Sequence, residues 1–322
     1  MNENIWIVEK ISPKLKSKKI RTFYSIIRPT TILCKIFGVF SIKNALLEEG
    51  TFLQYKRLSL DALWCPVLHL TCFFAVYKYV TFPWWLTTLP ILLYRSFADI
   101  FLCIYYDKYL LDLIIHLEEF DKILLLVTGN EPTRSIFASG TTWMLTTLIL
   151  FSISYHGVFS MLHSNSQRTV LRSLFESTVT ITSGFAMKAI TILYCLLCIN
   201  LSLRFNDVSS HLKYVVSKLI TEGCEGRRIR SNWNNVNFIG NNLEEIRFMY
   251  EHLSDAIGKL NRCFGVRLAC FIVLCFLQMT VDFYQYKFNY GVDVKSSSDF
   301  LFYHTFSIFV IGALSENITN SV

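Results

Sequence analysis

Residues 243–288 read LEEIRFMYEHLSDAIGKLNRCFGVRLACFIVLCFLQMTVDFYQYKF, and the change of character midway through this stretch decides the fold. In its first half Leu243, Ile246, Tyr250, Leu253, Ile257, Leu260 and Phe264 step by three and four. That is the period of one helix face, sustained like a heptad. Glu244, Glu245, Arg247, Glu251 and Lys259 occupy the other faces. From residue 266 the charged faces give way to an apolar run that reaches 288. About 20 such residues cross the roughly 30 Å of a bilayer's hydrocarbon. No proline separates the halves, so one helix should run out of the membrane and continue beyond it as an anchor helix over 243–265. Its stripe must then be buried, either against the chain's own helices or against a second subunit. Periodicity leaves both open.

The rest of the chain has the same two textures. Of 322 residues 52% are hydrophobic and 15% aromatic, and only 17% are charged, where a soluble domain carries about a quarter. The mean hydropathy is +0.40. A soluble chain this apolar would expose large sticky patches, whereas lipid solvates them. Besides 266–288, full spans are expected at about 58–80, 82–106, 137–162 and 173–203, with a partial sixth at 300–314. The tail is 315–322. Residues 1–57 form an N-terminal region. Within it 23–47 is apolar but carries Arg28, Lys35 and Lys43, which suits a helix lying on the membrane surface better than a span. A second extension is expected at 106–127, where Leu110, Leu113, Ile114, Leu117, Phe120, Ile123 and Leu124 share a side. The two extensions could pack together. Residues 222–242, rich in Gly, Asn and Arg, read as a loop. The expected fold is an all-α membrane protein, a bundle of transmembrane helices spanning 58–314 with long cytoplasmic helical extensions.

Charge sets the expected orientation. Of 31 Lys and Arg, 24 lie in residues 1–57 and in the segments after spans two and four, while the alternate loops hold five. Positive residues stay on the cytoplasmic side, so the amino terminus is expected there. Interleaved with spans, the net charge of +7 argues for membrane lipid and against nucleic acid as partner. Most of the ten cysteines lie in apolar runs, Cys195 and Cys198 among them as C-x-x-C, and read as buried thiols. The seven histidines show no metal spacing along the chain, and no catalytic or phosphate-binding motif occurs. The sequence therefore gives no reason to expect an enzyme, a cofactor or a metal.

Several short stretches resemble the insect gustatory receptor family, in order and spacing. The matching positions in 247–284 are His252 and Leu253, then Asn261, Phe264 and Gly265, then Thr280 and Tyr284. Upstream, LSLRFNDVSSHL at 201–212, with Arg204 and Phe205, is similar to the end of the family's fourth span, and ILCKIFGVFSI at 32–42 to its segment before the first span. The resemblance implies seven spans, a cytoplasmic amino terminus, and homo- or hetero-tetramers of a ligand-gated cation channel in the plasma membrane of a chemosensory neuron. Each subunit would bind a small-molecule tastant in the outer half of its bundle. The family's last span carries Thr-Tyr, five apolar residues and Gln-Phe. This chain instead closes with SENITNSV, so the expectation is an incomplete chain that lacks the pore-lining helix and does not conduct alone. An insect odorant receptor subunit and a G-protein-coupled receptor are the alternatives, although the charge count opposes the second.

Candidate pocket residues stand at the expected outer ends of the spans: Trp85, Tyr155, His156, Phe159, Thr178, Asp282, Tyr286, Tyr303 and His304. Aromatic residues at this depth also form the ordinary interfacial belt. Arg95 joins the candidates, since Asp99 lies four residues on and can pair with it on one helix face. That pair could line a pocket or hold helices together.

Overall fold

A computed structural model describes residues 23–38, 40–43, 53–55, 60–79, 84–129, 170–225 and 233–287, with the single positions 309, 312, 313 and 316. Five helices carry the described residues: α1 Phe23–Ile36, α2 Leu60–Tyr79, α3 Trp84–Thr128, α4 Val170–Glu225 and α5 Trp233–Lys287. The expected span at 137–162 lies outside the described residues, as does 300–314 apart from the helical positions 309, 312 and 313.

The lengths carry the architecture. α3, α4 and α5 have 45, 56 and 55 residues, or roughly 67, 84 and 82 Å at 1.5 Å per residue. Each has length for a span of about 30 Å and for an extension beyond it. Among the described residues two stretches, Ala189–Thr221 and Gly240–Val281, are long and apolar enough to cross a membrane. Phe74, Phe97, Phe276 and Phe283 are all more than 60% exposed, as side chains facing lipid would be.

Span and extension are continuous in all three long helices. The loop reading of 222–242 is corrected: α4 runs to Glu225 and α5 starts at Trp233, leaving 226–232 outside the described residues. Beyond residue 203 α4 still buries Phe205, Val208 and Val215 at helical spacing. The Asn-rich start of α5 is carried by propagation from the packed helix downstream, because adding a turn to a formed helix costs far less than nucleating one.

The helix expected over 23–47 ends at Ile36. Its 14 residues span about 21 Å, too short to cross a bilayer. It packs on α4 and α3, burying Phe23, Tyr24, Ile27, Thr30 and Thr31 completely. Its first turn is capped from a distance: the Tyr24 N–H donates to Oε1 of buried Glu118 on α3 at 3.2 Å, a carboxylate at a helix N-terminus. Its last turn closes on Gly38 at φ +70°, the Gly38 N–H donating to the Lys35 carbonyl at 3.0 Å. Only glycine fits this position twice over. The left-handed conformation disfavours a Cβ, and a Cβ there would lie 3.1 Å from Leu68 Cδ2 and 3.2 Å from Cys65 Cα of α2. Lys35 then donates to the Ile42 carbonyl at 3.2 Å.

The most extensive packing is between α3 and α5. On α5 the buried positions are Ile246, Met249, Leu253, Ala256, Leu260, Cys263 and Phe264. On α3 they are Leu110, Leu113, Ile114, Leu117, Phe120 and Leu124, as the apolar spacing there predicts. The anchor stripe is thus buried within the chain. Leu243 and Tyr250, read as part of it, are about 40% exposed. The true contact line is shifted onto Met249, Ala256 and Cys263, smaller or more flexible residues where the helices approach. Cys195 and Cys198 are free and buried.

Candidate functional site

The buried stripes carry charges in phase with them. Asp107 precedes Leu110 and Ile114 by three and seven residues on α3, and Arg267 follows Cys263 by four on α5. They meet as a fully buried ion pair, Arg267 Nη2 donating to Asp107 Oδ1. The same guanidinium nitrogen donates to the Leu102 carbonyl at 3.3 Å. The other carboxylate oxygen of Asp107 accepts from the Ser41 N–H and Oγ at 2.6 and 2.7 Å. Thus the segment after α1 is fastened to α3 and α5 at one point. Tyr55 donates to the Ile104 carbonyl close by, and the Trp64 indole of α2 donates to Ile36 at the end of α1 at 3.1 Å.

A second ion pair lies about four helical turns along α3. Arg204 of α4 donates from Nε and Nη2 to Oδ1 and Oδ2 of Asp121, at 2.9 and 2.7 Å, a bidentate fork of the strong kind. It also donates to its own helix at Asn200 (3.0 Å) and lies 4.7 Å over the Phe23 ring of α1. Neighbouring Phe205 meets Tyr250 of α5 edge to face at 5.7 Å. Arg204 and Phe205 thus tie α1, α3, α4 and α5 together.

Beside the Asp107–Arg267 pair a cleft of about 470 Å³, counting its open part, runs between α3, α4 and α5. Tyr94, Asp99 and Leu102 line it from α3, Ile190 and Thr191 from α4, and Arg267, Phe271 and Leu274 from α5. Most of the wall is apolar, and a few polar groups converge on it, the usual make-up of a small-molecule site. Asp99 also faces His69 of α2, with Oδ2 3.5 Å from Nε2 and both side chains nearly buried. Ionisable groups within spans are costly and mark function by default.

The sequence-derived pocket set is not brought into this cleft by anything described. Trp85, Arg95, Thr178, Asp282 and Tyr286 lie in helices, but their side chains are outside the described residues; Tyr155, His156, Phe159, Tyr303 and His304 are outside them altogether. Asp99 lies against His69, and its expected pairing with Arg95 falls outside the described residues. The family-motif positions are placed more fully. Leu253 and Phe264 are core, Phe264 meeting Tyr194 at 5.3 Å. Asn261, Gly265, Thr280 and Tyr284 are exposed, Thr280 donating to its own helix at Phe276. The linear reading missed Ser41, His69, Asp107, Asp121 and Thr191. Charge in phase with a buried stripe was the available signal for Asp107, Asp121 and Arg267.

The fold also joins two histidines that sequence spacing keeps apart. The rings of His116 on α3 and His252 on α5 stack at 3.7 Å with an angle of 8°, and His116 Nε2 lies 2.9 Å from the His252 carbonyl oxygen. Burial, with His116 and then Lys259 beside it, pushes the His252 imidazole down to about 4. It is therefore neutral at physiological pH. Phe120 and Phe248 flank it at 6.0 Å.

A search of curated proteins finds no match to the chain. The family described as 7tm Chemosensory receptor matches residues 27–321, a range that begins within α1 and takes in both ion pairs, the cleft and all five helices from Ile27 onward. The chain, an all-α membrane protein, belongs to the 7tm chemosensory receptor family.

Proposed function

We propose that the chain is a gustatory-type receptor of the plasma membrane, a subunit of a tetrameric cation channel opened by small-molecule tastants. The observation that carries the reading is the family match over residues 27–321. The cleft supports the ligand part. Its wall is mostly apolar with a few convergent polar groups, and it borders the Asp107–Arg267 junction that fastens the segment after α1 to α3 and α5. A ligand there would change packing where three elements meet. The exposed apolar side chains Leu212, Tyr214, Val216 and Ile220 of α4, with Leu243 and Phe248 of α5, support contact with further subunits. The lysine and arginine distribution supports a cytoplasmic amino terminus.

The test is electrophysiological. Cells expressing the chain with other subunits of the family are exposed to a panel of tastants, and cation current is recorded. Ligand-evoked current is expected, with Asp99→Asn or Thr191→Val shifting the half-maximal concentration about tenfold, near 1.4 kcal/mol, at unchanged surface expression. Responses to the panel that ignore both substitutions would remove the cleft from the reading. Responses to volatile odorants alone would favour the odorant receptor alternative.

A further inference from the structure

We infer that the extension bundle carries a binding site for a zinc-class divalent metal ion, formed by His116 and Glu119 of α3 and His252 of α5. One ligating atom from each of the three lies within 4.8 Å of the others. A tetrahedral ion with bonds of about 2.1 Å spaces its ligand atoms by roughly 3.4 Å, so the three atoms are near enough to share one ion once the two stacked rings tilt out of parallel and their in-plane lone pairs converge. His116 and Glu119 are three apart and share a helix face.

Packing alone explains a stacked pair of rings, but not the polar atoms around it. Nδ1 of His252 is buried and has no hydrogen-bond partner, a costly state that a bound ion would relieve. His116 Nε2 faces the His252 carbonyl oxygen at 2.9 Å. It must donate there, which leaves the lone pair of His116 on Nδ1, free to ligate. The Oδ2 of Asp255, one turn beyond His252, lies 3.5 Å from His116 Nε2 and is itself held by Lys259 at 3.0 Å. That is the carboxylate–histidine arrangement that orients metal-bound imidazoles. Glu119 is exposed, giving an ion a way in from solvent. Two imidazoles and a carboxylate form a borderline donor set that suits Zn(II) or Co(II) and leaves a fourth position for water. Bound, the ion would staple α3 to α5 beyond the membrane.

The inference is independent of the receptor reading, and its test does not use activity. The full chain, purified in detergent and stripped with chelator, is titrated with Co(II). Saturable binding of one ion per chain is expected, with visible d–d absorption that Zn(II) abolishes by competition. Glu119→Gln alters an exposed side chain and keeps the fold; together with His252→Gln it provides two independent probes. Each should weaken binding about tenfold or more at unchanged circular dichroism. Ultraviolet thiolate-to-metal bands would put the ion on cysteines and overturn the assignment. So would binding that is absent, or binding indifferent to Glu119→Gln.

Discussion

Single residues hold this bundle at a few points where no substitute does the same work. At Gly38 a side chain would meet both a left-handed backbone and the flank of α2. Gly38→Ala should cost about 2 kcal/mol or more, read as a fall in melting temperature of the detergent-solubilised protein; an unchanged melting temperature would contradict the capping role. The Asp107–Arg267 pair makes a sharper case. Asp107→Asn leaves a buried guanidinium without its counter-charge and should destabilise by about 3–5 kcal/mol. Replacing both, as Asp107→Leu with Arg267→Met, should recover much of that loss. Equal damage from the single and double variants would show that the pair is not what matters. Thiols give a third check. Burial pushes Cys34 and Cys263 up to about 12, and neither is accessible. Both should stay unmodified under maleimide at neutral pH, as followed by peptide mass spectrometry, until the protein unfolds. The glycine lay inside the stretch 32–42 that already looked like family sequence. Its reason was invisible there, because the clash is with a helix 27 to 30 residues away.

At the scale of the helix, the question is which face of α5 is inside. The apolar spacing in 243–264 was legible, and so was the matching face of α3. Phase was legible only in part. Steps of three and four tolerate two adjacent lines, and Leu243 and Tyr250 drew the reading toward their side. The buried line runs through Met249, Ala256 and Cys263 instead, residues whose hydrophobicity is too modest to announce a core. Truncations separate the two. Leu253→Ala should cost about 2–5 kcal/mol, whereas Leu243→Ala should stay within about 0.5 kcal/mol in the same thermal assay. Comparable losses would put Leu243 in the core or in a subunit interface. The loop expected at 222–242 gave way to helix at 222–225 and 233–242 for a related reason. Gly and Asn lower helix propensity by less than 1 kcal/mol each, and neighbouring packed turns override that.

Across the whole molecule, three helices of roughly 70–80 Å pass beyond any bilayer's thickness, and α1 is clamped among their extensions. The class of fold and the presence of extensions could be read from where apolar runs end and amphipathic stripes begin. The cleft could not, because its walls come from residues as far as 180 positions apart along the chain, from Tyr94 to Leu274. Neither could the meeting of His116 with His252. Both depend on the register of α3 against α5, which no local pattern records.

The same clamping groups α1 with the adjoining ends of α4 and α5, and the proposed orientation, supported by the charge distribution, has that side cytoplasmic. Epitope tags placed ahead of α1 and within 226–232, stained in intact and then permeabilised cells, test this directly. Both tags should appear only after permeabilisation. Staining of either tag on intact cells would contradict the account.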